Sequence, residues 1–266
     1  DCLNSILNQV YKSFEVILCD DCSRDQSVSI VKGIIPLFEE MGIRFVLLES
    51  DRNQGITKNL NRMLKEARGE FVKILASDDM LEENYLAELT AELNRNPSLE
   101  ILFSNGYKVK ESANYPVKEE QILEPMVMEE PDCVNDIVNR VYSYNFVPAP
   151  ALLFRRRVLD EVGGYDENIA IEDLEMLLRV LQRYPKGLGF CDKKLVYYRI
   201  NDNSITSMAN NTGAVRRIRF MYDNSLAIAR KYKNQVPGSV YRRRVSELRR
   251  EYILKRLIVF VKGLKR

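Results

Sequence analysis

The chain has no histidine and no tryptophan among its 266 residues. The first absence excludes a Ser-His-Asp triad, a His-ligated zinc site and a histidine general base. Proton transfer must then rest on Asp, Glu, Lys, Tyr or Cys. No run approaches the roughly 20 apolar residues that span a bilayer; the longest candidate is Leu257 to Val261. No signal peptide is read at the start, where DCLNSILNQV has the look of a helix already under way. No G-x-G-x-x-G stands at a strand-to-helix turn, which argues against an NAD-type site. An excess of one charge is also lacking. Forty Lys and Arg against 38 Asp and Glu leave +2, too little to indicate nucleic acid.

Cysteine is sparse. Cys2, Cys19, Cys22, Cys133 and Cys191 form an odd, scattered set that suits a reducing compartment. Cys19-Asp20-Asp21-Cys22 is formally a C-x-x-C. Two intervening carboxylates disfavour a thiolate, and a zinc site needs a second pair that is missing.

What is present is an ordinary globular balance, 45% hydrophobic and 29% charged, long enough for one large α/β domain with or without an appendage. The organising stretch is Phe71 to Met80, FVKILASDDM. Phe71 to Ala76 has the length and composition of a buried strand. Asp78 and Asp79 follow where that strand leaves the sheet. Leu81, Tyr85, Leu89 and Leu93 then step by four, as in a helix. Adjacent carboxylates at the carboxyl end of a strand stand where α/β sheets bind ligands. They repel unless a cation or donors compensate, and a divalent ion on a diphosphate is one such compensation. The plainer reading is an acidic cap on the next helix.

The pattern repeats along the chain. Phe14 to Cys19 reads as a strand ending in Asp20-Asp21. A helix runs to about Met41, with a kink expected at Pro36 and an end at Gly42. Ile43 to Leu48 is a strand, Asn53-Gln54-Gly55 a turn, Ile56 to Ala67 a helix, and Leu99 to Phe103 a further strand. This β-α-β-α-β order predicts an α/β fold with a mostly parallel, doubly wound sheet and helices on both faces. Lys108 to Pro131 holds no period and reads as an irregular connection. Beyond it, Ala151 to Phe154 is a strand and Arg157 to Val162 a short helix. Glu172-Asp173 opens a helix with stripe Leu174, Leu177, Leu178 and Leu181. Leu188 to Cys191 and Leu195 to Ile200 read as two strands, and Thr212 to Lys231 and Gly238 to Arg266 as C-terminal helices. From Val240 to Arg266 ten residues are Lys or Arg and two are Glu, a composition suited to an anionic membrane surface or to a solvated face.

Six ordered pieces together resemble a known family. They are SILNQ-x-Y-x-x-FEVILCDDCSRDQS, N-x-G with Lys58-Asn59, RGEFVKILASDD, VGGYDE, IEDLEMLLR and YYR-x-x-x-x-S. The family is the family-two inverting glycosyltransferases, which use nucleotide-sugar donors on the A-type glycosyltransferase fold. The resemblance spans roughly Cys2 to Thr206. It implies a transferase domain over 1–206, with a nucleotide-sugar half (1–105) and an acceptor half (106–206), and a helical appendage over 207–266. It further implies that the family's first strand lies upstream of residue 1.

By position, Asp20 and Asp21 match the acidic pair that holds the uracil and ribose end of the donor, with Lys58 on the same side. Asp79 matches the ligand of a Mg²⁺ or Mn²⁺ ion bridging the diphosphate, and Asp78 sits beside it. Asp173, paired with Glu172, matches the catalytic base. Arg199 and Ser204 match the loop that closes over the diphosphate. Cys22 stands where the family usually has Gly, Ala76 where an Asp is common, and Asn201 where many members place a His. The implied activity is metal-dependent hexosyl transfer from a UDP-sugar to a glycan or lipid-linked acceptor in surface polysaccharide synthesis. The implied location is cytoplasmic, at the inner face of the plasma membrane. Two rivals are an inactive nucleotide-binding module of the same fold and a nucleotidyltransferase. The second needs a basic, Gly-rich triphosphate loop, and none is visible from Asp1 on.

Overall fold

The computed structural model describes residues 1–126, 137–143, 146–201 and 214–263, the last of these without the side chains of 257–263. Two strands, β1 (Val16–Asp20) and β2 (Phe45–Glu49), pair in parallel, linked by helix α2 (Ser27–Glu40). Helix α1 (Cys2–Leu7) precedes them and α3 (Ile56–Glu66) follows. Val16, Phe38 and Ile43 bury a small core between these elements. Helix α2 runs on through Pro36. The proline is exposed, so water can reach the carbonyl its missing N–H would have served.

The larger sheet has six strands: β3 (Phe71–Lys73), β4 (Met80–Leu81), β5 (Ile101–Val109), β6 (Ile122–Met126), β7 (Leu152–Arg155) and β8 (Leu188–Arg199). The order is β3-β7-β5-β8-β4, with β6 also on β5. The early residues of β5, Ile101 to Phe103, pair with β7, and the later ones, Gly106 to Val109, pair with β6. Among the described residues, parallel pairing is confined to β1 with β2 and β5 with β8; the other pairs are antiparallel. The α/β class therefore holds, but the sheet is mixed rather than mostly parallel. The strand-helix alternation of the first half does not continue through the second, where β5, β6 and β7 fold back on one another.

Flanking the sheet are α4 (Tyr85–Arg95), α5 (Ile137–Ser143), α6 (Arg156–Glu161) and α7 (Glu172–Arg183). Helix α7 is buried nearly all round: Leu174, Met176, Leu177, Leu178, Val180 and Leu181 are each at most 5% exposed. Its polar side is covered too, where buried Glu175 pairs with Arg179, Lys231 and Tyr232. Helices α8 (Ala214–Lys231) and α9 (Gly238–Gly263) close the chain, packed on one another with Tyr222 stacked on Tyr252 at 4.5 Å. The segment expected to be irregular carries β6. Its sequence, ILEPM, hides its period because three central residues are exposed and Pro125 lies on an edge strand, where proline is tolerated.

Candidate functional site

Asp78 and Asp79 do not cap a helix. Strand β3 ends at Lys73, the acidic turn follows, and β4 pairs Met80 and Leu81 with Tyr197 and Val196 of β8. Helix α4 begins only at Tyr85, with Asn84 as its N-cap. The turn is held from β8. The backbone N–H of Arg199 donates to Asp79 Oδ1 at 3.0 Å, and Arg199 Nε donates to the Asp78 carbonyl at 2.8 Å. Arg199 Nη1 donates to the Glu111 carbonyl at 2.7 Å and to the Ala113 carbonyl, while Nη2 reaches Asp1 Oδ2 and Met80 Sδ. A guanidinium has five N–H donors, and these partners engage all of them. Arg199, which the resemblance sets over a diphosphate, is held here as a part-buried strut beneath the acidic turn. Arg199→Met leaves three carbonyls without a donor and should cost about 3 kcal/mol of stability. Equilibrium denaturation reads that loss, and an unchanged midpoint would contradict the role.

Asp79 is 3% exposed. Burial pushes its carboxyl up to about 7; the Arg199 N–H opposes this, Asp78 adds to it, and Lys73 and the Arg199 charge oppose it. Lys73 is part-buried between strand and core. Its amine donates to the Pro150 and Leu152 carbonyls and lies 4.8 Å from the Tyr85 ring centroid. Desolvation brings it down to about 7, with Asp79 pulling the other way. The one available signal for Lys73 was a charged residue inside an apolar strand.

Asp20 and Asp21 end β1 as expected. Asp20 Oδ2 accepts from Ser23 N–H at 2.9 Å, closing the turn. Asp21 accepts from the N–H groups of Gln54 at 2.6 Å and Gly55 at 3.0 Å. Burial works to raise Asp21, but these donors, Asn59 and Arg62 outweigh it and hold the carboxyl below its usual range. Cys22 has φ 70°, the left-handed region that favours glycine, which is the residue the resemblance leads one to expect there. Cys19 is pushed up by burial against the pull of Arg62, so it is no ready thiolate. Lys58 stands exposed on α3.

Glu172 and Asp173 open α7, where the helix dipole favours negative charge. Neither side chain is its N-cap, which is Ile171. Burial pushes Glu172 up to about 7, opposed by its own backbone N–H and reinforced by the charge of Asp173. Tyr165 lies beside both: burial raises its phenol, and Glu172 and Asp173 raise it further. Glu175, one turn on, is 1% exposed and accepts from Arg179, Lys231 and Tyr232.

The structure thus joins Asp78, Asp79 and Arg199 directly. Ser204 and Cys133 lie outside the described residues. A cavity of about 620 Å³ is lined by Arg68, Glu70, Arg155, Arg156 and Asp160 among others. It is at the amino end of β3, opposite the acidic turn. Two of its arginines are engaged elsewhere: Arg155 on the Leu99 and Leu93 carbonyls, Arg156 on that of Ala67.

The acidic turn offers hard oxygen donors, which suit Mg²⁺ or Mn²⁺. Among the described residues no group of three or more His, Cys, Asp and Glu side chains is arranged to hold an ion unaided. Two carboxylates supply part of a hard-cation shell, and Mg²⁺ commonly draws the rest from phosphate and water.

Comparison with known proteins places this geometry. Residues 1–163 match the model of glycosyl transferase family 2, and the chain belongs to that family. EpsE of Bacillus subtilis (strain 168) is 24% identical over 234 residues, 85% of this chain and 74% of that protein. S. aureus TarS 1-349 in complex with UDP-GlcNAc superposes with a TM-score of 0.63 at 21% identity, over 94% of this chain and 67% of that one. Mannosyltransferase PcManGT from Pyrobaculum calidifontis, in complex with GDP-Man and Mn²⁺, gives 0.62 at 16%, over 92% and 64%. The chain spans 40% of the longer S. aureus TarS chain. The fold is the A-type glycosyltransferase fold, a mixed central sheet flanked by helices.

Proposed function

We propose that this chain is a metal-dependent inverting hexosyltransferase that moves a sugar from a UDP-sugar to a hydroxyl of a glycan or lipid-linked acceptor in surface polysaccharide synthesis. The observation that carries it is the buried Asp79 turn, built by β8 at the start of β4 and stocked with hard oxygen donors, in a chain of glycosyl transferase family 2. Residues 1–105 serve as the nucleotide-sugar half and 106–206 as the acceptor half, with 207–266 as a helical appendage. Asp20 and Asp21 face the uracil and ribose end, with Lys58 beside them. TarS in complex with UDP-GlcNAc supports the donor class, and PcManGT with Mn²⁺ supports the ion.

Asp79, with Asp78 beside it, would hold Mg²⁺ or Mn²⁺ jointly with the donor, where the ion supplies positive charge for the leaving diphosphate. Asp173 accepts the acceptor hydroxyl proton while that oxygen bonds to the anomeric carbon. The bond from that carbon to the diphosphate oxygen breaks, and its electron pair leaves with UDP. Attack from the opposite face inverts the centre. Glu172, its carboxyl raised to about 7 by burial, lies beside Asp173 and modulates its charge. A panel of UDP-sugars assayed for UDP release with Mn²⁺ tests the reading. Release from one or a few donors supports it, and UDP binding without release from any donor assigns the chain to the inactive module.

We also place α9 against an anionic membrane surface. No helix of the described residues is long and apolar enough to cross a membrane. Helix α9 turns Leu248 inward, yet Ile253 and Leu254 are 57% and 58% exposed beside exposed Arg249, Arg250 and Arg256. Flotation with vesicles should retain the chain when they contain an anionic lipid and not when all lipids are zwitterionic. Equal recovery from both would remove this role.

A further inference from the structure

The loop from 163 to 171 joins α6 to α7 and leads into Glu172 and Asp173. Gly163 and Gly164 open it at φ 81° and 74°, a region costly for other residues. A side-chain carbon on Gly164 would stand 2.7 Å from Asn61 Oδ1. That closeness has a purpose. The Asn61 amide, on α3, pairs with the backbone of Tyr165 in both directions: Oδ1 accepts the Tyr165 N–H at 2.7 Å, and Nδ2 donates to the Tyr165 carbonyl at 2.9 Å. Nδ2 also donates to Glu167 Oε1 at 3.1 Å. One side chain thus acts as a rung of β-ladder.

The loop is fastened from the other side by α8. Asn224 Oδ1 accepts the Ala170 N–H at 3.0 Å. Lys231 Nζ donates to Asp166 Oδ2 at 2.7 Å and to Glu175 Oε1 at 2.6 Å. So 163–175 is pinned at both flanks, and the acidic pair lies within the pinned segment. Helix α3 has a second duty. Arg62 donates to Asn59 Oδ1 at 3.1 Å and to Ser50 Oγ at 2.6 Å, beside the Asp21 loop. A helix is rigid over two turns, so α3 relates the acidic end of β1 to the start of α7 at fixed geometry.

We infer that Asn61 is a positioning residue for transfer: through the Tyr165 backbone it sets the Glu172–Asp173 pair in register with the donor-side carboxylates that α3 supports. The inference rests on the transferase reading above. Asn61 itself touches no reacting atom. Misplacing a reacting group by about 1 Å costs on the order of 100-fold in rate.

The test uses the full chain with two variants that disturb the same contact, one from the helix and one from the loop, Asn61→Ala and Gly164→Ala. Each should lower kcat by about 10- to 100-fold, with KM for the UDP-sugar and affinity for UDP within about two-fold of wild type by the same reasoning. Hydrogen exchange should quicken across 165–175 and stay unchanged in α4 and β5. A general loss of fold would instead quicken exchange everywhere and weaken UDP binding in step, and that result overturns the inference. So does a variant pair with wild-type kcat, or with unchanged exchange over 165–175. A wild-type chain that releases no UDP from any donor sinks the transferase reading and this one with it. A working wild type beside an unaffected Asn61→Ala sinks this one alone.

Discussion

Asp173→Asn should lower kcat by about 100- to 10,000-fold while UDP affinity stays near wild type. The amide keeps the size and place of the carboxylate but cannot take a proton. No histidine can stand in for it, because the chain holds none. Glu172 is the nearest carboxylate, yet burial raises it to about 7, so at neutral pH a large share of it is already protonated. Its titration gives the experiment a second dimension. As pH rises through about 7, Glu172 gains charge next to Asp173 and strengthens it as a base, so the rate should climb through that limb. Glu172→Gln should remove the limb. The stability sign follows from the same shift. A folded value above the usual 4.5 means the protonated form is favoured by folding, so this contribution is complete below about 4.5 and lost as pH rises through 7. Wild type should therefore lose stability relative to Glu172→Gln across that window in denaturation curves. Retention of full turnover in Asp173→Asn would move the base elsewhere.

Asp79→Ala should cost about 1,000-fold in kcat/KM under Mn²⁺ saturation, since the charge that develops on the diphosphate would lose its counter-ion. Two consequences separate this from simple unfolding. The Arg199 N–H loses its acceptor, a loss of about 1–2 kcal/mol, while the guanidinium keeps its carbonyl partners and the turn its frame. Removal of a buried carboxylate also relieves the burial that raises its pKa, which offsets part of that loss. The variant should thus stay folded and turn over poorly. Turnover unchanged with and without Mn²⁺ would remove Asp79 from the site.

Several parts of this arrangement were legible in the sequence, and the misses have physical causes. Paired carboxylates at strand ends stood out because a strand's apolar run stops abruptly at them. Their capping alternative could not be dismissed, because Leu81, Tyr85, Leu89 and Leu93 share one spacing whether Leu81 is helix or strand. In the fold Leu81 is β4, paired with Val196, and it buries into the same core as the helix that follows. Strand β8 reads as two strands because Asp192 and Lys193 interrupt it; in the structure the break is a shift of register, with Ser104 opposite Cys191 and Asn105 opposite Lys194. Sequence does not say whether the Arg199 guanidinium faces carbonyls or phosphate; in the fold it meets the carbonyls of Asp78, Glu111 and Ala113. Asn61 gave no signal at all. A polar residue on a helix is solvated by default, and only the fold brings Tyr165 to it across 104 positions of chain.

The proposed transfer requires acidic pairs from separate loops to grip one nucleotide. Titration calorimetry with UDP, run with and without Mn²⁺ on wild type, Asp21→Ala and Asp79→Ala, tests this directly. The predicted result is binding by wild type that needs Mn²⁺ and is weakened at least ten-fold in both variants, a loss of about 1.4 kcal/mol or more. Equal UDP affinity in all three chains, with Mn²⁺ indifferent, would contradict it.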